Sequence, residues 1–236
     1  MANNDKWDEL GITFSTIPVD RVEEVLVFLY DNFFPEEPIS RSLNVTRHWI
    51  VDLLFGENVK AGASVMATDE SGKIVGLRLA EVIHKNSWVP WLLDTFVGTV
   101  LPKISWIFGR RWDRICYINY LLIDVLMEKN IWPMFEEFKC DKILSAVCLS
   151  TCKASAGQGL GTELVRRSEV LGKELGCKVT TVIATGLYSG KIFSRRGYVS
   201  VKEVLYADFI DEKGELYLKD TRQHTTCVKF VKQLND

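Results

Sequence analysis

The chain has 236 residues, of which 47% are hydrophobic and 25% charged, and 29 basic against 31 acidic side chains give a formal net charge of -2. This apolar content is sufficient for a core and excludes disorder over most of the chain. Proteins that bind nucleic acid usually carry a clear basic excess, which is absent here. We therefore expect one domain whose partner is a small molecule.

The N-terminus and the cysteines bear on the compartment. Met-Ala-Asn-Asn-Asp is not followed by an apolar stretch typical of a secretory signal, so we expect a cytoplasmic protein. In that reducing environment the six cysteines are predicted to be free thiols, most of them buried. Cys148 and Cys152 depart from the spacing of zinc ligands, and no metal site is predicted.

The N-terminal half predicts both strands and helices. Residues 12–17 are β-branched and aromatic, which favours a strand. Pro18, Asp20 and Glu23 form a capping-box-like signal for a helix that runs to about residue 34. The elements predicted next are an acidic turn at 35–38, a helix over 45–55 ending at Gly56, strands over 63–68 and 74–83, and a hairpin turn between them at 69–73.

The middle of the chain contains an apolar stretch, residues 88–108, that is long enough to cross a bilayer. Asp94 and Lys103 would be costly within the membrane, and the prolines of the stretch interrupt a helix. We therefore expect a helical insertion over residues 88–138 and no membrane partner.

The C-terminal half alternates strands with helices. Strands are predicted over residues 142–149, 179–184, 198–206 and 225–231. Helices are predicted from Leu160 to Gly176 and from Ser189 to Gly197. This alternation predicts an α/β or mixed α+β fold around one central sheet, in a single domain over residues 1–236.

Gly157-Gln158-Gly159-Leu160-Gly161 connects a predicted strand to a predicted helix. Free backbone N–H groups and the helix dipole favour an anion at such a turn, so a phosphate is the expected ligand. A P-loop needs a lysine after its last glycine, and a dinucleotide fingerprint needs G-x-G-x-x-G. Both interpretations fail on spacing.

Residues 142–201 resemble the acetyl-CoA-binding core of the GCN5-related N-acetyltransferases (GNAT). Gly159 and Gly161 match the glycines of the signature Arg/Gln-x-x-Gly-x-Gly/Ala, while Ala156 replaces its first residue. The run from Gly186 to Tyr198 resembles the second cofactor segment, a short helix ending in Gly-Phe or Gly-Tyr. The resemblance implies acetyl-CoA as co-substrate and a mostly antiparallel mixed sheet of about seven strands flanked by helices.

A narrower resemblance, over nearly the whole chain, is to the insect arylalkylamine N-acetyltransferases. Residues 33–38, Phe-Phe-Pro-Glu-Glu-Pro, look like their N-terminal motif. Residues 185–189 resemble their Ser-Ser-His-Tyr-Ser segment, with Thr185, Gly186 and Leu187 in place of its first three residues. The resemblance implies a monomer that acetylates a small amine such as tyramine, dopamine, octopamine, serotonin or histamine.

Two alternatives stay open. The acidic pair Glu36 and Glu37 would also attract an aliphatic cation, so agmatine or a polyamine is an alternative acceptor. Ala156 leaves open a CoA-binding protein without catalysis.

The resemblance also implies catalytic roles. Glu37 is the expected general base, with Glu36 as the fallback, and adjacent carboxylates are expected to raise each other's pKa. Phe193 stands where many relatives carry a tyrosine that protonates the leaving thiolate. Ser189 and Thr185 therefore inherit that role, with Tyr188 as a further candidate, although Ser189 is equally suited to be a helix N-cap.

The remaining site residues also follow from the resemblance. The expected cofactor contacts are Leu149, Ser150, Thr151, Gly157, Gln158, Gly159, Leu160, Gly161, Thr162, Ser189, Lys191 and Phe193. Within this set, backbone N–H groups of Leu149, Ser150 and Thr151 are expected to stabilise the oxyanion. The expected acceptor contacts are Glu36 and Pro38 and, from its place near the last predicted strand and not from the resemblance, His224.

Overall fold

The computed structural model describes residues 5–86 and 131–234. The helices within these ranges are α1 (Asp5–Glu9), α2 (Val22–Asn32), α3 (Pro38–Ser42), α4 (Trp49–Lys60), α5 (Trp132–Glu137), α6 (Leu160–Glu174) and α7 (Leu187–Arg195). The strands are β1 (Thr13–Thr16), β2 (Val65–Thr68), β3 (Ile74–His84), β4 (Lys142–Thr151), β5 (Val179–Ala184), β6 (Val199–Leu205) and β7 (Thr226–Gln233).

The strands form one seven-stranded sheet in the order β1-β2-β3-β4-β5-β7-β6. Neighbouring strands are antiparallel except for β4 and β5, which are parallel. This architecture confirms the predicted mixed α/β class with a mostly antiparallel sheet.

Helices cover both faces of the sheet. On one face, apolar residues of α2 and α4, including Leu29 and Val59, pack against Leu77 and Leu79 of β3. On the other face, Leu160 and Leu164 of α6 pack against Val65 of β2. Helix α7 joins this second face through Phe193, which packs near Val182 and Phe230. The central strands are therefore buried on both sides, which agrees with their apolar sequences.

Several predicted helix boundaries are wrong; α4, for example, begins at Trp49 instead of residue 45. Two of the differences have a cause in the contacts. Helix α2 follows a 3₁₀ turn, Val19–Arg21, and its N-cap residue Arg21 makes no side-chain capping bond within the described chain. Glu23 pairs with Arg47 at 2.6 Å instead of completing a capping box with Asp20. Helix α4 continues through Gly56 to Lys60, because Gly56 is buried where α4 approaches Val22 of α2.

The predicted insertion over residues 88–138 lies mostly outside the described residues, which include only its last helix, α5. Within 5–86 and 131–234, no helix is both long enough and apolar enough to span a bilayer. The five cysteines in these ranges are unpaired; four are buried and Cys152 is partly exposed, as predicted.

Two glycine substitutions test the packing of the helices on the sheet. Gly→Ala inside a helix normally adds about 1 kcal/mol of stability. A Cβ on Gly172 of α6 would lie 2.8 Å from buried Leu144, whereas one on Gly56 would lie 3.5 Å from Val22. We expect Gly172→Ala to lower the melting temperature and Gly56→Ala to raise it, as measured by circular dichroism. A stabilised Gly172→Ala would contradict the close approach of α6 to β4.

Candidate active site

The candidate site lies where strands β4 and β5 separate. The two strands pair only from Ile143 opposite Val179 to Ala146 opposite Val182, while β4 continues to Thr151. Beyond Ala146, β4 remains paired with β3 on its other side. Its backbone groups that point away from β3 therefore have no strand partner in the described sheet, and a cleft opens there. The predicted residues Leu149, Ser150 and Thr151 form this edge of the cleft.

The glycine-rich turn lies between the end of β4 and the start of α6. Gly157 and Gly159 have φ of 76° and 89°, a conformation that other residues rarely adopt. A Cβ on either glycine would meet no atom of the described chain within 4 Å, so both face open space. The first N–H groups of α6 have no partner within the helix. The turn, including Gln158, Leu160 and Thr162, thus presents a backbone cradle suited to an anion.

Gly161 has a packing role besides the predicted contact with the cofactor. A Cβ there would lie 3.1 Å from Ile192 of α7, so this glycine allows α6 and α7 to pack closely. The side chain of Leu160 is likewise in the core, with 1% exposure. At both positions only the backbone N–H group is available to a ligand.

Lys6 of α1 is a site residue that sequence analysis missed. Its ammonium donates a hydrogen bond to the carbonyl oxygen of Gln158 at 2.6 Å, and it lies 4.7 Å from the Trp7 ring centroid. The C=O and N–H of a trans peptide point in opposite directions, so this contact turns the Gly159 N–H away from Lys6. Lys6 therefore helps to set the orientation of the turn and adds positive charge beside it.

Glu37 is the N-cap residue of α3. Its Oε1 accepts from the Ile39 N–H at 3.1 Å, and its Oε2 accepts from the Ser40 N–H at 2.6 Å. These bonds fix the carboxylate while each oxygen keeps acceptor capacity for a further donor. Pro38, the next residue, is buried at the first position of α3, so its side chain belongs to the packing of this helix.

Glu36 has quite different surroundings. Its carboxylate is paired with Lys153, at 3.0 Å, and with Arg222. The Lys153 ammonium and then the Arg222 guanidinium hold the pKa of Glu36 below its ordinary value, against the effect of burial. The expectation that Glu36 and Glu37 raise each other's pKa is therefore wrong for Glu36, and this residue is poorly suited to act as a base.

His224 precedes β7 in the sequence, and its ring lies beside the first residue of α7. Its Nδ1 accepts a hydrogen bond from the Leu187 N–H at 3.0 Å, which places the proton of the neutral ring on Nε2. Burial lowers the pKa of His224, whereas the charge of Glu37 raises it, so the two side chains are electrostatically coupled. His224 is therefore a neutral hydrogen-bond donor near pH 7.

Gly186 lies beside the His224 ring. A Cβ on Gly186 would lie 3.6 Å from that ring and from the Ser189 hydroxyl, an ordinary van der Waals distance. An imidazole thus occupies this place, although Leu187 stands where the resembling family has its histidine.

The three candidate acids lie at the same helix start. The Ser189 hydroxyl donates to the Gly186 carbonyl at 2.9 Å, and because Gly186 itself is the N-cap, the prediction of Ser189 as N-cap is wrong. Thr185 is half-buried, and its carbonyl accepts from the Tyr206 hydroxyl at 2.7 Å. Tyr188 is 62% exposed, and its ring meets His224 edge to face.

Phe193 and Lys191 lie on different sides of α7. Phe193 is 1% exposed, packed against Tyr198 and Phe230, so its predicted direct contact with the cofactor is not available in this structure. The guanidinium of buried Arg78 lies 5.3 Å from the centroid of its ring. Lys191 is exposed on the surface of α7.

These elements meet at one edge of the sheet. Since β4 and β5 are parallel, their C-terminal ends lie at the same edge, and α6 and α7 start there. The glycine turn therefore lies on the same side as His224, and Glu36 links the acidic turn to Lys153 directly after β4. Among the described residues, no group of three or more His, Cys, Asp or Glu side chains is arranged to hold a metal.

Solved structures of similar fold were found over almost the whole chain. Arylalkylamine N-acetyltransferase 2 from Aedes aegypti is 27% identical, with a TM-score of 0.80 over 95% of this chain and 99% of that protein. The chain is similar in sequence and fold to the arylalkylamine N-acetyltransferases of the GNAT superfamily. The family resemblance and the fold that it implied are thereby confirmed.

Two further structures share the fold. The Drosophila melanogaster polyamine N-acetyltransferase, which catalyses the formation of N-acetylagmatine, is 20% identical, with a TM-score of 0.73 over 94% of this chain and 99% of that one. NAA60 from Arabidopsis thaliana, in complex with acetyl-CoA, is 13% identical, with a TM-score of 0.53 over 95% and 99% of the two chains. No protein-family model matches the sequence.

The coupling between Glu37 and His224 can be measured. Glu37 raises the pKa of His224, so Glu37→Gln should lower that pKa further by removing the charge. NMR titration of the imidazole resonances measures this, and the chain has only three histidines to assign. Glu57→Gln, which removes a carboxylate paired with Lys60 on α4, is the control and should leave His224 unchanged. An unchanged or raised pKa in Glu37→Gln would contradict the coupling.

Proposed function

We propose that the chain is an N-acetyltransferase that transfers the acetyl group of acetyl-CoA to a small primary amine, with arylalkylamines as its acceptors. The observation that carries this proposal is the shared edge of the sheet. There the cleft between β4 and β5 and the glycine cradle face the same side as Glu37, His224 and Ser189. We include in the proposal a single cytoplasmic domain acting as a monomer.

The glycine turn and the cleft are proposed to bind different parts of acetyl-CoA. The backbone cradle at Gly157 and Gly159 suits the pyrophosphate, since it combines open N–H groups with the positive end of the α6 dipole. The unpaired edge of β4 suits the extended pantetheine arm, whose amides match strand hydrogen bonds. When bound, acetyl-CoA supplies a thioester carbonyl to be attacked.

Glu37 is the proposed base. An amine is mostly protonated near pH 7 and must lose a proton before its nitrogen can attack a carbonyl. The Glu37 carboxylate is held in place by two N–H donors and can take this proton through a water molecule. His224 cannot substitute for it, because its Nδ1 is occupied by Leu187 and its Nε2 carries the proton. We assign His224 the role of orienting the water or the amine.

The remaining steps use the backbone of β4 and a hydroxyl. We assign oxyanion stabilisation, as the amine nitrogen bonds to the carbonyl carbon, to those N–H groups of Leu149 to Thr151 that point away from β3. When the carbon–sulfur bond breaks, the thiolate needs a proton or a hydrogen bond. Ser189 is the proposed hydrogen-bond donor, its hydroxyl turning from the Gly186 carbonyl towards the sulfur. The proton that the thiolate finally takes is the one that the nitrogen loses as the amide forms, so the serine hydroxyl is left unchanged.

The acceptor class is supported by an aromatic surface beside His224. Tyr188 is 62% exposed and packs edge to face with that imidazole, so an aromatic substrate ring has a partner there. Among the structures compared, the arylalkylamine enzyme also has the higher sequence identity.

A panel of amines tests the proposed function. Release of the CoA thiol and mass spectrometry of the product would be measured with tyramine, dopamine, serotonin, histamine, agmatine and putrescine. We expect N-acetylated products, with the highest kcat/KM for an arylalkylamine. Binding of acetyl-CoA with no acetylation of any amine would instead favour the non-catalytic alternative.

Substitution of the glycine cradle should abolish cofactor binding. We expect acetyl-CoA to raise the melting temperature of the native protein but not of Gly159→Glu, because the new carboxylate would face the phosphates. Gly214→Glu is the control, since Gly214 also has positive φ, at 79°, but lies in the turn before β7. An undiminished ligand-induced shift in Gly159→Glu would refute the cradle.

Substitution of Glu37 should impair catalysis with little effect on acetyl-CoA affinity. We expect Glu37→Gln to lower kcat/KM by about a hundredfold, in line with general-base contributions. The amide oxygen can still accept from one N–H of α3, which limits the loss of capping. Glu36→Gln is the matched variant. A larger loss of kcat/KM in that variant would assign the role of base to Glu36 instead of Glu37.

A further inference from the structure

The negative charge of Glu36, in the acidic turn, is neutralised by cationic side chains of the same protein. Glu36, the residue before the proposed base, has a side chain that is 37% exposed, and both Lys153 and Arg222 are paired with it. Glu37 directs both oxygens at backbone N–H groups of α3. The turn at residues 35–38 appears strongly acidic in the sequence. In the folded chain, two cationic side chains from other segments surround its Glu36 carboxylate.

Arg222 has an unusual backbone conformation. It adopts φ of 50°, in the left-handed region that residues with a Cβ rarely enter, two residues before His224. Its side chain is 38% exposed, whereas that of Lys153 is 83% exposed. Arg222 is thus the less exposed of the two cations, and it lies nearer in sequence to the proposed acceptor contact, His224.

We propose that Arg222, assisted by Lys153, is a specificity-determining residue that disfavours amines with a second positive charge. The inference rests on the proposed function and deepens it by naming the charge class of the acceptor. A diamine or agmatine keeps one cationic group after the reacting nitrogen is deprotonated, and that group would meet Arg222 and Lys153 instead of a free carboxylate. An arylalkylamine keeps only a neutral ring.

The test compares putrescine with pentylamine, in which a methyl group replaces the second ammonium. The quantity measured is the ratio of kcat/KM for putrescine to that for pentylamine, with tyramine as a further acceptor. Both aliphatic amines undergo the same chemistry, so an effect of the substitutions on His224 or Glu37 cancels in the ratio.

We expect the native ratio to be below one, and the double variant Lys153→Met/Arg222→Gln to raise it about fivefold, the upper range for one partly exposed ion pair. Arg222→Lys keeps the charge and should keep the native ratio. Lys219→Met removes a cation three residues before Arg222 in the sequence, which pairs with Glu215 at 2.8 Å. This variant should also leave the putrescine-to-pentylamine ratio unchanged.

The outcomes separate this inference from the proposed function. A folded double variant that still acetylates tyramine but retains the native ratio would overturn the selectivity role alone. A native enzyme that prefers putrescine to pentylamine would do the same. If no amine is acetylated by the native protein, the proposed function fails and the inference falls with it.

Discussion

The early end of the pairing between β4 and β5 determines the rest of the site. After Ala146 and Val182 the two parallel strands separate, yet neither becomes an isolated strand. β4 stays bonded to β3 as far as Thr151, and β5 stays bonded to β7 as far as Ala184. Each side of the cleft is thus anchored by its own antiparallel neighbour. A groove lined by open backbone groups can exist there without loss of the sheet.

Two adjacent glutamates show how local contacts separate the roles of identical side chains. Glu37 receives neutral backbone donors at a helix start, which fix its orientation and leave it able to accept more hydrogen bonds. Glu36 receives an ammonium and a guanidinium, which stabilise its ionised form and lower its pKa. The first arrangement suits proton transfer through water, and the second suits control of charge at the mouth of the site.

Local patterns in the sequence predicted the elements that depend on nearby residues. Val179–Ala184 and the start of β3 at Ile74 were predicted exactly, because apolar runs between turn residues define them. The glycine turn was indicated by its spacing and by the family resemblance, and Glu37 was indicated by the resemblance. The extent of α4 did not follow, because a glycine in a helix reads as a terminus unless the packing partner, here Val22, is known.

Contacts between distant segments could not be predicted. Lys6 reaches Gln158 across 152 positions, and Arg222 reaches Glu36 across 186. Single exposed cations have no periodicity or motif, so only the folded chain shows their partners. The same limit applies to His224, whose contact with the Leu187 N–H no local pattern indicates.

The central claim is that acetyl-CoA binds in the cleft between β4 and β5 with its phosphates at the glycine turn. Backbone amide hydrogen exchange, measured by mass spectrometry with and without saturating acetyl-CoA, tests this directly. The account predicts strong protection of residues 147–151 and 157–162, with little change in β1 and β2. Protection confined to other segments, or no protection at all, would contradict it.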